Sequence, residues 1–296
     1  MDTRYVFRDI SYLCGDLKSP QMDTRYKTIS NKPAELIKHF TDLNQPAFTF
    51  SEANELLNSS SKEAVKKLMR DMVKRELLLR LKDGVYWIIP YEQEAKNYFP
   101  NWHMVAKYLV GNNKYYIGYY SAMEIHSLIT QPSLLERIVV NQQIKPSLLK
   151  IKDAKFQFIY HNANHFFGNK QIWIDSFNKV SCSDLEKTFV DCLYKPDYAG
   201  GITEIAKALY KSRDKIDYQK LYFYCEQFKA QSVIKRLGFL LELLEIYNPI
   251  IDRLQQLTSK SIILLEPSYE KKGKLVSKWS IQQNIEPKDI TSPIFT

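Results

Sequence analysis

Residues 60–89, SSKEAVKKLMRDMVKRELLLRLKDGVYWII, change hydrophobic period part-way along. In the first half Val65, Leu68, Met69 and Met72 recur at helical spacing, and Ser60 with Glu63 has the S-x-x-E form of a capping box. After Glu76, residues 77–81 and 85–89 are apolar, β-prone runs on either side of Lys82-Asp83-Gly84, and Asp-Gly is a strong hairpin signal. Working upstream, Pro33 suits the first turn of a helix bearing Leu36, Ile37 and Phe40. Residues 48–50 read as a short strand, and Ser51 suits the cap of a second helix ending near Asn58. The order helix, strand, helix, helix, hairpin predicts a winged helix-turn-helix over residues 30–90.

The charges of the third helix fall on one side of it. With about 100° per residue and Val65 at zero, Leu68, Met69 and Met72 lie within roughly 60° of the core direction, while Lys66, Arg70, Lys74 and Lys67 span about 100° to 200°. A lysine-rich helix face is often only solvated. Joined to a short preceding helix and a hairpin, it predicts a DNA-reading helix in the major groove. Arg70 is the expected base reader, because a guanidinium donates two parallel bonds to guanine. Ser59, Ser60 and Lys62 at the helix start are expected phosphate contacts, and Arg80 and Lys82 on the wing are expected to reach an adjacent phosphate or the minor groove. Glu63 is left out, since a capping role explains it.

Downstream, residues 91–101 carry Pro100 and polar side chains and are expected to be a linker. Residues 102–286 are expected to form a larger mixed α/β domain, giving an α+β chain overall. A helix through Trp102, Val105, Ala106 and Leu109 should stop at Gly111, with a short strand over 115–118. Strands are expected over 136–141, 156–161 and 171–177, and Ser121 with Glu124 and Ser183 with Glu186 repeat the capping-box spacing. Helices are expected over 202–211, 218–229 and 232–247, with a strand pair at 262–265 and 279–281. Residues 1–29 are expected to be an extension and 287–296 a tail. The extension repeats a pentapeptide, Met1-Asp2-Thr3-Arg4-Tyr5 recurring from Met22 to Tyr26, which raises Met22 as an alternative start.

Composition narrows the classes. The 296 residues carry 42 basic and 33 acidic side chains, a formal charge of +9, with 45 % hydrophobic and 13 % aromatic residues, enough for a packed core and an attraction to polyanions. No run reaches the ~18 apolar residues of a membrane span and the chain opens without an apolar signal stretch, so no membrane association and a cytoplasmic location are expected. Cys14, Cys182, Cys192 and Cys225 lack any CxxC pairing and suggest buried free thiols. His161 and His165 have metal-like spacing but sit between asparagines in an expected loop, so no metal and no cofactor are expected. Phosphate-loop, dinucleotide, zincin and nucleophile-elbow motifs are absent from the sequence. Gly200-Gly201 reads as a helix stop rather than a phosphate cradle. Asp184 and Lys187, with Asp175 and Asp191, keep a metal-dependent nuclease as an alternative. A winged-helix protein-interaction module is another. Lys271, Lys272, Lys274 and Lys278 around Gly273 form either a second basic patch or a solvated hairpin.

The order of segments resembles the AbiEi family of type IV toxin-antitoxin antitoxins. The residues that carry the likeness are LLRLKDGVY at 78–86, YYIGYYSAMEIH at 115–126, SDLEKTFVDCL at 183–193 followed by Pro196 and AGGI at 199–202, KRLGFLLELL at 235–244, LEP at 265–267, KGK at 272–274 and Trp279. The resemblance spans residues 30–285. It implies a non-catalytic autorepressor whose N-terminal domain binds inverted repeats in its own promoter duplex, with cooperative self-association on the DNA. Its C-terminal domain would counteract a cognate nucleotidyltransferase toxin without a stable complex.

Overall fold

Residues 30–58 and 60–295 are described by a computed structural model. The expected N-terminal extension, its repeated pentapeptide, Cys14 and Ser59 lie outside the described residues. The chain is mixed α+β. It opens with α1 (Asn31–Asp42), β1 (Ala47–Thr49), α2 (Phe50–Leu56), α3 (Lys62–Lys74), β2 (Leu78–Lys82) and β3 (Val85–Ile88). The apolar stripe of α3 is buried as its spacing requires, with Val65, Met69 and Met72 packed among Leu36, Phe40, Ala53 and Leu77. Each such side chain contributes about 1.5–3 kcal/mol on burial.

The three strands form an antiparallel sheet in the order β1-β3-β2. Successive strand residues point to opposite faces. Phe48, Leu78 and Tyr86 join the core under the helices, whereas Ala47, Leu81, Val85 and Trp87 face the other way, onto Val105, Ala106 and Leu109 of α4 (Trp102–Val110). The small sheet is therefore buried on both faces, and the first segment shares a core with the second. Residues 91–101, expected as a linker, are pinned between them. Ala95 and Pro100 are buried, Tyr98 OH accepts from Trp87 Nε1 at 3.0 Å, and Lys152 Nζ donates to Ala95 O at 2.5 Å and Tyr98 O at 3.0 Å. Polar composition carried no sign that carbonyls of this segment would be captured by a lysine 54 to 57 residues away.

A six-stranded mixed sheet follows, in the order β6-β7-β5-β4-β9-β8. Its strands are β4 (Tyr115–Ile117), β5 (Glu136–Val140), β6 (Leu148–Ile151), β7 (Ala154–Tyr160), β8 (Asn169–Trp173) and β9 (Lys179–Ser183), with α5 (Tyr119–Ile125) after β4. One face carries Ile138, Val140, Phe156 and Phe158 against α4, and the other carries Tyr116, Val139 and Ile159 with Tyr119. The chain then enters a helical body: α6 (Leu185–Tyr194), α7 (Ile202–Ser212), α8 (Tyr218–Phe228), α9 (Gln231–Leu243) and α10 (Ile250–Gln256). A small sheet of β10 (Ile263–Leu264), β11 (Lys274–Val276) and β12 (Ile281–Gln283) covers α9. Residues 287–296, expected as a tail, instead carry α11 (Pro287–Phe295), whose Ile290 is fully buried in the helical core. Cys182, Cys192 and Cys225 are free and buried. Among the described residues no helix is long and apolar enough to cross a membrane.

The helix starts correct the expected capping boxes. Ser61, not Ser60, caps α3, its side chain accepting from Ala64 N at 3.2 Å. Asp184, not Ser183, caps α6 through Lys187 N at 2.9 Å. Adjacent capping residues are chemically equivalent, and spacing alone does not choose between them. Ser121 lies inside α5, where its hydroxyl donates to Leu135 O and accepts from Arg137 N, tying the helix to β5. A true capping box does form at α2, between Thr49 and Glu52 rather than from Ser51.

Several polar side chains and glycines of the helical body hold its elements together. Glu266 accepts from Ile202 N at 2.7 Å, so the N-terminus of α7 already has its anion; Gly201, at φ 89°, leaves room for that carboxylate. Arg236 donates to the carbonyls of Leu193 at the end of α6 and of Leu264 and Leu265. Lys235 reaches Ser261 O and Ser259 Oγ. Gly238 lies flat under Trp279, whose Nε1 donates to Glu242 at 2.7 Å. A Cβ at 238 would come within 2.1 to 2.6 Å of three atoms of the indole ring. Gly238→Ala is therefore expected to lose about 1–3 kcal/mol of stability through overpacking, seen as a lower urea midpoint at unchanged m-value.

Candidate nucleic-acid interface

The buried stripe of α3 fixes which side chains face out. Lys62, Lys66, Lys67, Arg70 and Lys74 are all exposed, and none pairs with a carboxylate among the described residues. Lys62, Lys66, Arg70 and Lys74 are four apart and form one stripe along the helix. Ser60 turns away from this role, accepting from Lys32 Nζ at 2.7 Å, so the start of α3 is tied to α1. Arg80 is exposed on β2 and pairs with Asp83 of the turn.

Lys82 corrects its expected role. Its ammonium donates to Leu109 O, at the end of α4, at 2.7 Å, and partial burial lowers its pKa. The hairpin tip is also held from behind, Phe50 N donating to Gly84 O at 2.7 Å. The wing lysine is thus a tether between segments: the apolar face that Leu81 and Val85 present to α4 brings Lys82 to a carbonyl that lacks a helical partner. The second basic patch is divided. Lys272 pairs with Glu270 and Lys278 with Glu242, while Lys271 and Lys274 are exposed without a carboxylate partner among the described residues. Gly273, at φ 97°, leaves no room for a Cβ against the Gln283 backbone.

Of the groups considered for metal or nuclease chemistry, Asp184, Lys187, Asp191 and His161 are buried and bonded to one another or to their neighbours, whereas Asp175 is exposed between β8 and β9 and accepts from Phe177 N and Asn178. Lys187 and Asp191 pair one helical turn apart on α6, both fully buried. Tyr116 OH donates to Asp191 at 3.0 Å and accepts from Lys187 at 3.0 Å. His161 bonds the hydroxyls of Tyr119 at 2.8 Å and Tyr116 at 3.2 Å. The Lys187 ammonium also faces the rings of Phe167 and Phe228 at 5.0 Å. Asp184 accepts from Lys187 N, Tyr224 OH and Lys220 Nζ. Among the described residues no three His, Cys, Asp or Glu side chains are placed to hold a metal ion.

Burial, partly opposed by Asp191, pushes His161 down to about 4. An unfolded histidine titrates near 6.5. Between those values the unfolded chain binds more protons, so stability is full above pH 6.5 and falls as the pH drops toward 4, by on the order of 3 kcal/mol from this group. His161→Gln is expected to flatten that part of the acid limb, measured as urea midpoints at several pH values.

No family model matches the chain, and neither does any curated protein. Among solved structures, the crystal structure of the RV2827C protein from Mycobacterium tuberculosis is similar, with a TM-score of 0.61 at 11 % identity over 86 % of this chain and 91 % of that one. At that identity the likeness is one of fold.

Proposed function

We propose that residues 31–88 are a winged helix-turn-helix and that the protein is a DNA-binding autorepressor, with α3 in the major groove. The observation that carries this reading is the run of five exposed cations on one face of α3, without carboxylate partners, above a core that fixes their direction. Lysines neutralise phosphates and give salt-dependent affinity; Arg70 reads a base edge. Ser60 and Lys82 drop out of the contact set, leaving Ser59, Lys62, Lys66, Lys67, Arg70 and Lys74, with Arg80 at the flank.

The resemblance to AbiEi antitoxins extends the proposal to a role in a toxin-antitoxin operon, opposing a nucleotidyltransferase toxin. The test has two parts. Duplex DNA from upstream of its own gene should be retarded specifically in a gel shift, and co-expression should restore growth arrested by a nucleotidyltransferase toxin of the AbiE type. Absence of specific retardation sinks the repressor reading; absence of rescue sinks the antitoxin reading.

A further inference from the structure

Arg137 Nε is buried without a hydrogen-bond partner, one of two such side-chain atoms among the described residues. Buried donors in folded proteins are nearly always satisfied, so an orphan on a charged group asks for a partner that the chain does not supply. Arg137 shares its face of β5 with Val139, in the layer of Tyr116, Tyr119 and Ile159, and Gln157 of β7 stands beside it in register. The adjacent carboxylate, Glu136, points through the sheet and bonds His103 at 2.9 Å. Burial lowers the Arg137 pKa, so the fold carries a partly desolvated charge with no ion pair among the described residues.

Two further observations fall on the same place. The Arg137 guanidinium lies 5.7 Å from the centroid of the Tyr198 ring, and the exposed Lys195, at the end of α6, holds its ammonium 5.2 Å from that same ring, also without a carboxylate partner among the described residues. Cation–π attraction accounts for either contact, but it neutralises neither charge.

The other observation is strain. Tyr119 takes φ 55°, a left-handed conformation that a bulky side chain adopts only at a cost. It is held there from both sides. Gly118 N donates to Arg137 O at 3.0 Å, and the Tyr119 hydroxyl bonds His161 at 2.8 Å. The Tyr119 ring then meets the Tyr198 ring edge-on at 5.3 Å. Strained backbone of this kind gathers at ligand sites, and this turn fixes both the strand carrying Arg137 and the ring that backs Tyr198.

We propose that Arg137, Gln157 and Lys195, around the Tyr198 ring, bind a small phosphate monoester. The guanidinium offers a fork to two phosphate oxygens, the Gln157 amide a further donor and Lys195 a second positive charge. A phosphate dianion matches two unpaired cations, where a single carboxylate leaves one over. A small ligand suits a guanidinium that is half-buried on a central strand between Tyr198 and Gln157, whereas a duplex backbone is met by long exposed side chains such as those of α3. The site is independent of the winged-helix reading.

The test is isothermal titration of the full chain, at constant ionic strength, with inorganic phosphate, glycerol 3-phosphate and, for comparison, succinate. Saturable binding of both phosphates is expected, with a matching rise in Tm. Arg137→Gln should weaken it by about 10- to 100-fold, and Arg137→Lys should not restore it, because an ammonium has no fork. Without ligand, Arg137→Gln should keep or raise Tm, since it removes a buried charge that has no partner. Lys195→Gln, on the surface, should weaken binding several-fold with the fold unchanged. Absence of saturable phosphate binding overturns the proposal, as does equal binding in wild type and both glutamine variants. Loss of binding on replacing Lys66, Arg70 and Lys74 by alanine, but not on replacing Arg137, places the phosphate on α3 and overturns it too. Tighter binding of succinate than of either phosphate overturns the assignment to a phosphate ester. Weaker binding of a 30-base-pair duplex by Arg137→Gln, with no phosphate binding by the wild type, overturns the assignment to a small ligand.

Discussion

Alanine at Lys66, Arg70 and Lys74 together is expected to reduce operator affinity by on the order of 10²–10³-fold, with the fold intact. The two halves of that expectation come from the same geometry. All three side chains are exposed on α3 and none has a carboxylate partner among the described residues, so their loss leaves no buried group unsatisfied. Surface substitutions of this kind change stability within about 0.5 kcal/mol, and alanine is the better helix former. The single variants should differ in kind. On the proposed function, Lys66→Ala or Lys74→Ala would remove one phosphate contact, weakening all sequences alike and reducing the salt slope by about one. Arg70→Ala should in addition relax base preference, by about 1–3 kcal/mol at one position. Lys82→Ala should behave oppositely, losing a tether to Leu109 O and lowering Tm with little effect on binding. Wild-type affinity in the triple variant would mean that α3 is not the recognition helix.

The contrast between Arg70 and Lys82 shows what the sequence could convey. The α3 stripe was legible because burial and exposure both follow from a 3.6-residue period, so Val65, Met69 and Met72 orient Arg70 without any knowledge of the rest of the chain. The Asp-Gly turn was legible for a similar reason, since Gly84 takes φ 69° where few other residues can. Lys82 was not, because its partner is a carbonyl of another element and a carbonyl leaves no mark in sequence. The same holds for the cap of α7 by Glu266 and for the seat of Trp279 on Gly238. Edge strand β6 was missed because Leu148 and Lys150 face solvent and break its apolar run, and β9 because Ser181 and Ser183 are polar residues that bond carbonyls of β4. Arg137 stood inside an expected strand, yet only cross-strand register and the packing of Tyr198 showed which residues stand beside it.

Asp191→Ala should be the most damaging single substitution in the buried network, costing about 3–5 kcal/mol. Asp191 is fully buried and accepts from both Lys187 and Tyr116, so its removal leaves an ammonium with one hydroxyl and aromatic faces for company. Burial already lowers the pKa of Lys187, and Asp191 is the main influence raising it again. Without that carboxylate the folded protein should shed the proton at lower pH. The unfolded chain, titrating near 10.4, then binds more protons than the folded one over a wider range. Stability of Asp191→Ala should consequently rise with pH through the alkaline range more steeply than that of the wild type. Adding Lys187→Met should recover most of the loss, because a thioether side chain of similar length fills the space without a charge. Urea midpoints for the two single variants and the double variant, at neutral and alkaline pH, measure the coupling directly. A double variant as unstable as Asp191→Ala would show that the carboxylate acts through Tyr116 and His161 rather than through the ion pair. A neutral single variant would show that Lys187 is uncharged in the native fold.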